Sequence, residues 1–191
     1  QWIAFGLGCY VVTCWIQGLQ IRDYATYSMI FKSKALLFSV IGFPFLAFIT
    51  YSMAAFGPAF YMRNFGVSEG EVATVLGLTA AIAGMTGVIL GGIIGDKLRK
   101  KYINGRFYVA FLVILLAVPF NLGVLYSENL YASYIWNFIF KLISPMWVGI
   151  APAIVADLVM PRMRAIAGAF YILMVSMLGL ALGPYSVGLL S

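Results

Sequence analysis

Hydrophobic positions in this chain fall in long unbroken blocks, not in the strict alternation of a half-buried strand. Six blocks can be drawn, at about Trp2 to Leu19, Ala35 to Tyr61, Val72 to Gly95, Phe107 to Tyr126, Tyr131 to Val159 and Ala165 to Leu190. A helix needs about 20 apolar residues to cross a hydrocarbon core. In that core every backbone amide must be paired within the chain, so blocks of this length read as helices. They are too long and too unalternating for barrel strands. The pattern predicts an all-α membrane protein, a polytopic bundle of about six spanning helices. The first block is short and tolerates Gln17, and the second contains Gly42, Pro44, Gly57 and Pro58.

Polar positions collect between the blocks, and their charge alternates. Arg22, Lys32 and Lys34 separate the first two blocks, Lys97, Arg99, Lys100, Lys101 and Arg106 the third and fourth, and Arg162 and Arg164 the last two. The other connections carry Glu69, Glu71 and Glu128, with Arg63 the nearby cation. Excess Lys and Arg marks the cytoplasmic side, so the basic connections are expected there, in a plasma membrane or a bacterial inner membrane. This placement accounts for the net charge of +6 without a nucleic-acid partner. Composition agrees: 63% of residues are hydrophobic and 9% charged, with a mean hydropathy of +1.00, where soluble domains carry roughly 25% charged residues. Cys9 and Cys14 lie in an apolar stretch and the chain has no histidine, so they read as packing residues, and no metal site or cofactor is expected. Beginning at Gln1 and ending on an apolar run at Ser191, the chain is expected to be a piece of something longer.

The third block carries the densest pattern. Ala80, Gly84, Gly87, Gly91 and Gly95 recur at spacings of three and four, which lines small residues along one helix face and lets a neighbour approach closely. Such a face serves a static helix pair or a surface along which helices slide. Asp96 then ends the run, followed within five residues by four cations. A carboxylate there can accept from the free amides of a neighbouring helix N-terminus, or pair with an arginine of another loop, Arg164 being the candidate.

These residues resemble the loop between the second and third helices of each half of the major facilitator superfamily, whose pattern is G-x-x-x-D-[RK]-x-G-[RK]-[RK]. Gly92, Asp96, Lys97, Lys100 and Lys101 match it, and Arg99 stands where the family has glycine. The resemblance implies that Asp96 latches the cytoplasmic side in the outward-facing state, with Lys97 as its supporting cation. Asp157 and Arg164, spaced acid-x6-Arg, are similar to the superfamily's charge-relay spacing at the end of a half's fourth helix. GPAFYMRNFG, residues 57 to 66, is similar to the W-x-P-x-F-x-x-R-x-x-G signature of spinster-like transporters, with Phe56 in place of tryptophan. PRMRAIAGAF, residues 161 to 170, and GLALGP, residues 179 to 184, resemble that branch's eleventh-helix region. On this alignment residues 1 to 34 are the end of a preceding half and a cytoplasmic linker. Residues 35 to 191 are then the seventh to eleventh helices of a C-terminal half, with the N-terminal half and the last helix outside the chain.

Lys141 is the one charge placed in the interior of a block, away from its ends, with Asn137, Ser144 and Pro145 on its face. Intramembrane charges usually face a pathway, yet a lysine stem can also snorkel to headgroups. If Lys141 faces the path, an anionic headgroup or a carboxylate of the other half is its partner. No carboxylate lies at mid-membrane depth, which removes the groups an intramembrane enzyme requires. The resemblance implies an alternating-access secondary transporter for a small amphiphilic or lipid-like substrate. The alternatives are an organic-anion or other small-metabolite symporter of the same superfamily and, from another class, a non-transporting membrane assembly subunit.

Overall fold

The computed structural model describes the backbone from Trp2 to Leu190 and the side chains from Gly6 to Leu189. Gln1 and Ser191, the ends of the two expected units, lie outside the described residues. The described chain is helical, with α1 (Trp2–Arg22), α2 (Tyr24–Lys32), α3 (Lys34–Phe65), α4 (Glu69–Lys101), α5 (Gly105–Tyr126), α6 (Leu130–Ile143) and α7 (Met146–Asp157) in succession. A 3-10 turn (Pro161–Met163), α8 (Arg164–Met174), a π-helical stretch (Val175–Ala181) and α9 (Leu182–Leu190) complete it. Five stretches are long and apolar enough to cross a membrane: Lys34–Phe65, Glu69–Lys101, Gly105–Tyr126, Leu130–Asp157 and Pro161–Leu189. They correspond to the last five expected blocks. The first block is the 21-residue helix α1.

Local chemistry sets the boundaries. Asp23 caps α2 by accepting from the Thr26 backbone N–H at 3.1 Å and from the Thr26 hydroxyl. That satisfies one of the free amides at the helix start and holds the Asp23 carboxyl below its usual range, the hydroxyl bond being the larger cause. The stretch between the first two blocks, expected as a linker, is therefore a helix in its own right. Gly66 ends α3 in the left-handed region at φ 64°, the conformation a glycine adopts without strain. Ser68 then caps α4 by accepting from the Glu71 N–H at 3.4 Å.

Four features differ from the hydrophobic pattern. α3 runs through Pro44 and Pro58 without a break. α4 does not stop at Gly95 but continues through Asp96 and the cations to Lys101, because none of those residues is a helix breaker. The connection to α5 is only Tyr102 to Asn104. The fifth block breaks at Ser144 and Pro145 into α6 and α7, since proline lacks the N–H that would continue the ladder. The sixth widens into the π stretch just before Pro184 for the same reason.

The main core joins α3, α5, α7 and α8 through Val40, Phe43, Val113, Ile150, Ile154 and Phe170, all buried. Phe43 stacks on Trp147 at 6.4 Å and meets Tyr171 edge-on at 6.3 Å. A smaller cluster lies at the other end, where buried Tyr61 of α3 stacks on Tyr134 of α6 at 5.0 Å. The Tyr61 hydroxyl donates to the Ser133 carbonyl at 3.1 Å, and the Ser133 hydroxyl lies 3.1 Å from the Val124 carbonyl. The end of α3, the end of α5 and the start of α6 therefore share that end. The ion pairs described below place the end of α4, the start of α5 and the end of α7 at the opposite, basic end.

The glycines of α4 meet α6 and α7. A Cβ at Gly87 would lie 2.1 Å from the Leu142 carbonyl oxygen, and one at Gly91 2.3 Å from that of Met146. At Gly95 it would lie 2.6 Å from Cγ2 of Ile150. The contacts advance by four residues in the same direction on both sides, so the two spans run parallel in close contact. Gly149 returns the arrangement from α7, its would-be Cβ 2.4 Å from the Val88 carbonyl oxygen. Gly84, expected in the same packing face, has nothing within 4 Å. The stripe is thus used over its second half alone, where α6 and α7 approach.

Candidate functional site

A charge cluster occupies the basic end. α4 delivers Asp96 and Arg99 on its last two turns, α5 delivers Arg106 as its second residue, and α7 ends on Asp157. Arg106 is the centre. Its Nε and Nη2 both donate to Oδ1 of Asp96, at 3.2 and 2.7 Å. Its Nη1 donates to Oδ2 of Asp157 and lies 3.5 Å from the Ala153 carbonyl. Arg99 adds a bond from Nε to the same Asp157 oxygen at 3.3 Å. The Arg106 side chain is 18% exposed and that of Asp96 63%, so the cation is enclosed and the carboxylate faces outward.

Sequence reasoning and geometry part at the partner of Asp96. The arginine it meets is Arg106, not Arg164. Arg164, the first residue of α8, donates from Nε to the Ala156 carbonyl at 3.2 Å, and so braces the end of α7 instead. Asp157 and Arg164, expected as a relay pair, form no ion pair among the described residues; Asp157 is taken by Arg106 and Arg99. Arg106 counted in the sequence only as a topological cation. The signal that could have found it is the brief connection at Tyr102 to Asn104, which folds α5 back so that position 106 returns beside position 96. Gly105 permits that corner, since a Cβ there would stand 2.2 Å from the carbonyl carbon of Leu98.

Lys97 is exposed and makes no ion pair among the described residues. Gly92 faces Gly149, whose carbonyl oxygen would lie 3.9 Å from a Cβ. The three polar candidates of the fifth block, Lys141, Ser144 and Asn137, are distributed among neighbours. The ammonium of Lys141 donates to the Leu76 carbonyl at 2.8 Å and lies 3.4 Å from the Thr79 hydroxyl, both on α4. Ser144 pairs with Thr50 of α3 at 2.8 Å. Asn137 is 3% exposed, and its Oδ1 has no partner among the described residues. Asn137 and Ser144 are thus sealed between helices, while Lys141 is half-buried. No group of three or more acidic or cysteine side chains suited to a metal occurs among the described residues.

A bundle of helices long and apolar enough to span a membrane, with a charged cluster at one end, defines a class, the polytopic helical membrane proteins, and comparison with known proteins narrows it. No family model matches the chain. The chain is 32% identical over 180 residues to the human protein spinster homolog 1, covering 84% of this chain and 33% of that protein. It is 29% identical to the Drosophila melanogaster protein spinster, and 27% identical to an MFS-type efflux pump of Mycolicibacterium smegmatis, covering 84% of this chain in both cases. A crystal structure of a bacterial homologue of the human lysosomal transporter spinster, inward-facing and occupied, superposes with a TM-score of 0.72 at 27% identity. It covers 83% of this chain and 34% of that one. The unoccupied inward-facing form gives a TM-score of 0.79 at 23% identity, a likeness of fold. The chain is therefore a multi-pass integral membrane protein, homologous to the spinster-type transporters of the major facilitator superfamily, which are not enzymes. It spans about a third of the length of these relatives.

Proposed function

We propose that this chain forms the C-terminal half of a spinster-like secondary transporter, residues 35 to 191, joined through residues 1 to 34 to a preceding half. The whole protein moves a small amphiphilic or lipid-like molecule by alternating access, its halves rocking about a site near the middle of the bilayer. The basic connections face the cytoplasm, in a plasma membrane or a bacterial inner membrane. Asp96 and its surroundings form the inner gate. One observation carries this reading: Asp96 is held at the basic end by an enclosed arginine while its carboxylate stays open to the outside. That is the geometry a group needs to meet a second half. Gly92 and Lys97, matched to the family pattern, flank the gate, while Asp157 and Arg164 brace the end of α7 behind it.

Replacing Asp96 by Asn tests the gate. In the full-length protein, labelling of cysteines placed on the cytoplasmic face should rise, because closure is weakened. Labelling equal to wild type removes the gate role.

Lys141 favours an anionic substrate. Its ammonium has carbonyl and hydroxyl partners but no carboxylate among the described residues, and a charge at this depth is costly unless it serves a pathway. Lys141→Gln should lower affinity for an anionic amphiphile about tenfold, the loss of one charge-assisted hydrogen bond, and leave a neutral analogue unaffected. Equal losses for both would make Lys141 a brace between α4 and α6 only. Running lysolipids against small carboxylates in the same assay separates the lipid reading from the organic-anion symporter.

A further inference from the structure

Two charges of the cluster sit at helix ends that disfavour them. Asp157 closes α7, at the negative end of its dipole, and Arg106 opens α5, at a positive end. Each placement opposes the helix dipole at that end. Helix stability therefore does not explain them, and their mutual pairing must. The pairing is asymmetric. Arg106 spends two of its donors on a single oxygen of Asp96, Oδ1, and the third on Asp157. Oδ2 of Asp96 receives no hydrogen bond among the described residues and belongs to a side chain 63% exposed. A planar guanidinium fixes direction as well as distance, which an ammonium does not. With Asp157 and the Ala153 carbonyl gripping Nη1, the fork cannot swing, and it aims the carboxylate.

We propose that Arg106 is the positioning residue of the cytoplasmic gate: anchored to α7 through Asp157, it holds Asp96 by one oxygen and presents the other to a donor on the facing half. The proposal rests on the gating role of Asp96 given above and adds the group that makes it directional. Arg106 makes no contact with substrate in this scheme. Its effect on transport passes through Asp96 alone.

The test is a mutant cycle in the full-length protein, read as the labelling rate of a single cysteine on the cytoplasmic face, with melting temperature in detergent measured alongside. Arg106→Gln should raise labelling about two- to fivefold, the range for an ion pair this exposed, and to the level of Asp96→Asn. The double variant should rise no further, because the two residues act as one unit. Arg106→Lys retains the charge and the fold and should still raise labelling, since an ammonium cannot fork. Wild-type labelling in Arg106→Gln or Arg106→Lys, with Asp96→Asn raised, overturns the positioning role and leaves the gate reading standing. Additive effects in the double variant overturn it as well. Wild-type labelling in Asp96→Asn removes both readings.

Discussion

Gly91→Ala should destabilise the folded protein strongly, while Gly84→Ala, seven residues earlier on the same stripe, should not. The added methyl at position 91 would stand 2.3 Å from the Met146 carbonyl oxygen and 2.7 Å from the Met146 Cα. Both are backbone atoms, so no side chain can rotate away and the two helices must separate. Overpacking of this kind costs about 1–3 kcal/mol, sometimes more. The cost falls on the term that holds spanning helices together, since lipid supplies no hydrophobic drive and close packing replaces it. At Gly84 nothing lies within 4 Å. Alanine there gains helix propensity of about 0.5–1 kcal/mol over glycine, so its melting temperature should hold or rise. If the two variants melt alike in detergent, the crossing of α4 over α6 and α7 is not what stabilises the bundle.

Gly105→Ala should be comparably damaging, and it should also open the gate. Its Cβ would lie 2.2 Å from the Leu98 carbonyl carbon, 2.3 Å from its oxygen and 2.5 Å from the Arg99 nitrogen. The corner is closed by the Gly105 N–H donating to the Tyr102 carbonyl at 3.0 Å, which leaves few residues to absorb a shift. Relief must come from moving the start of α5 away from the end of α4. Arg106 is the next residue, so its bonds of 2.7 and 3.2 Å to Asp96 would lengthen together. The variant should combine a lowered melting temperature with cytoplasmic labelling raised as in Asp96→Asn. A drop in stability with labelling unchanged would separate the corner from the gate.

These two glycines differ in how much of their packing is legible in the sequence. Gly91 was visible as a packing position because small residues at spacings of three and four make a helix face whatever surrounds it. That Gly87, Gly91 and Gly95 are enclosed while Gly84 is open depends on where α6 and α7 cross, which periodicity does not encode. Gly105 carried no signal at all, for its role comes from a turn that places Leu98 against it. Asp96 stands out in the sequence as a carboxylate amid cations, but its partner is Arg106 and not the expected Arg164. Charges in a basic loop look alike in sequence, and only the fold-back of α5 tells them apart. Likewise Lys141, Asn137 and Ser144 share one helix face, but their neighbours come from α3 and α4.

Sequence by itself determined the solvent, the number of long apolar segments and their alternation, because the bilayer demands length, apolarity and internally paired backbone from each segment separately. Those demands are local, and so they are written locally. Tertiary structure alone decided which glycines touch a neighbour, which arginine holds Asp96, and that α4 carries Asp96 on its last helical turns. Such contacts join residues far apart in the chain, and their energies depend on distances of a few ångströms that arise only when the helices pack.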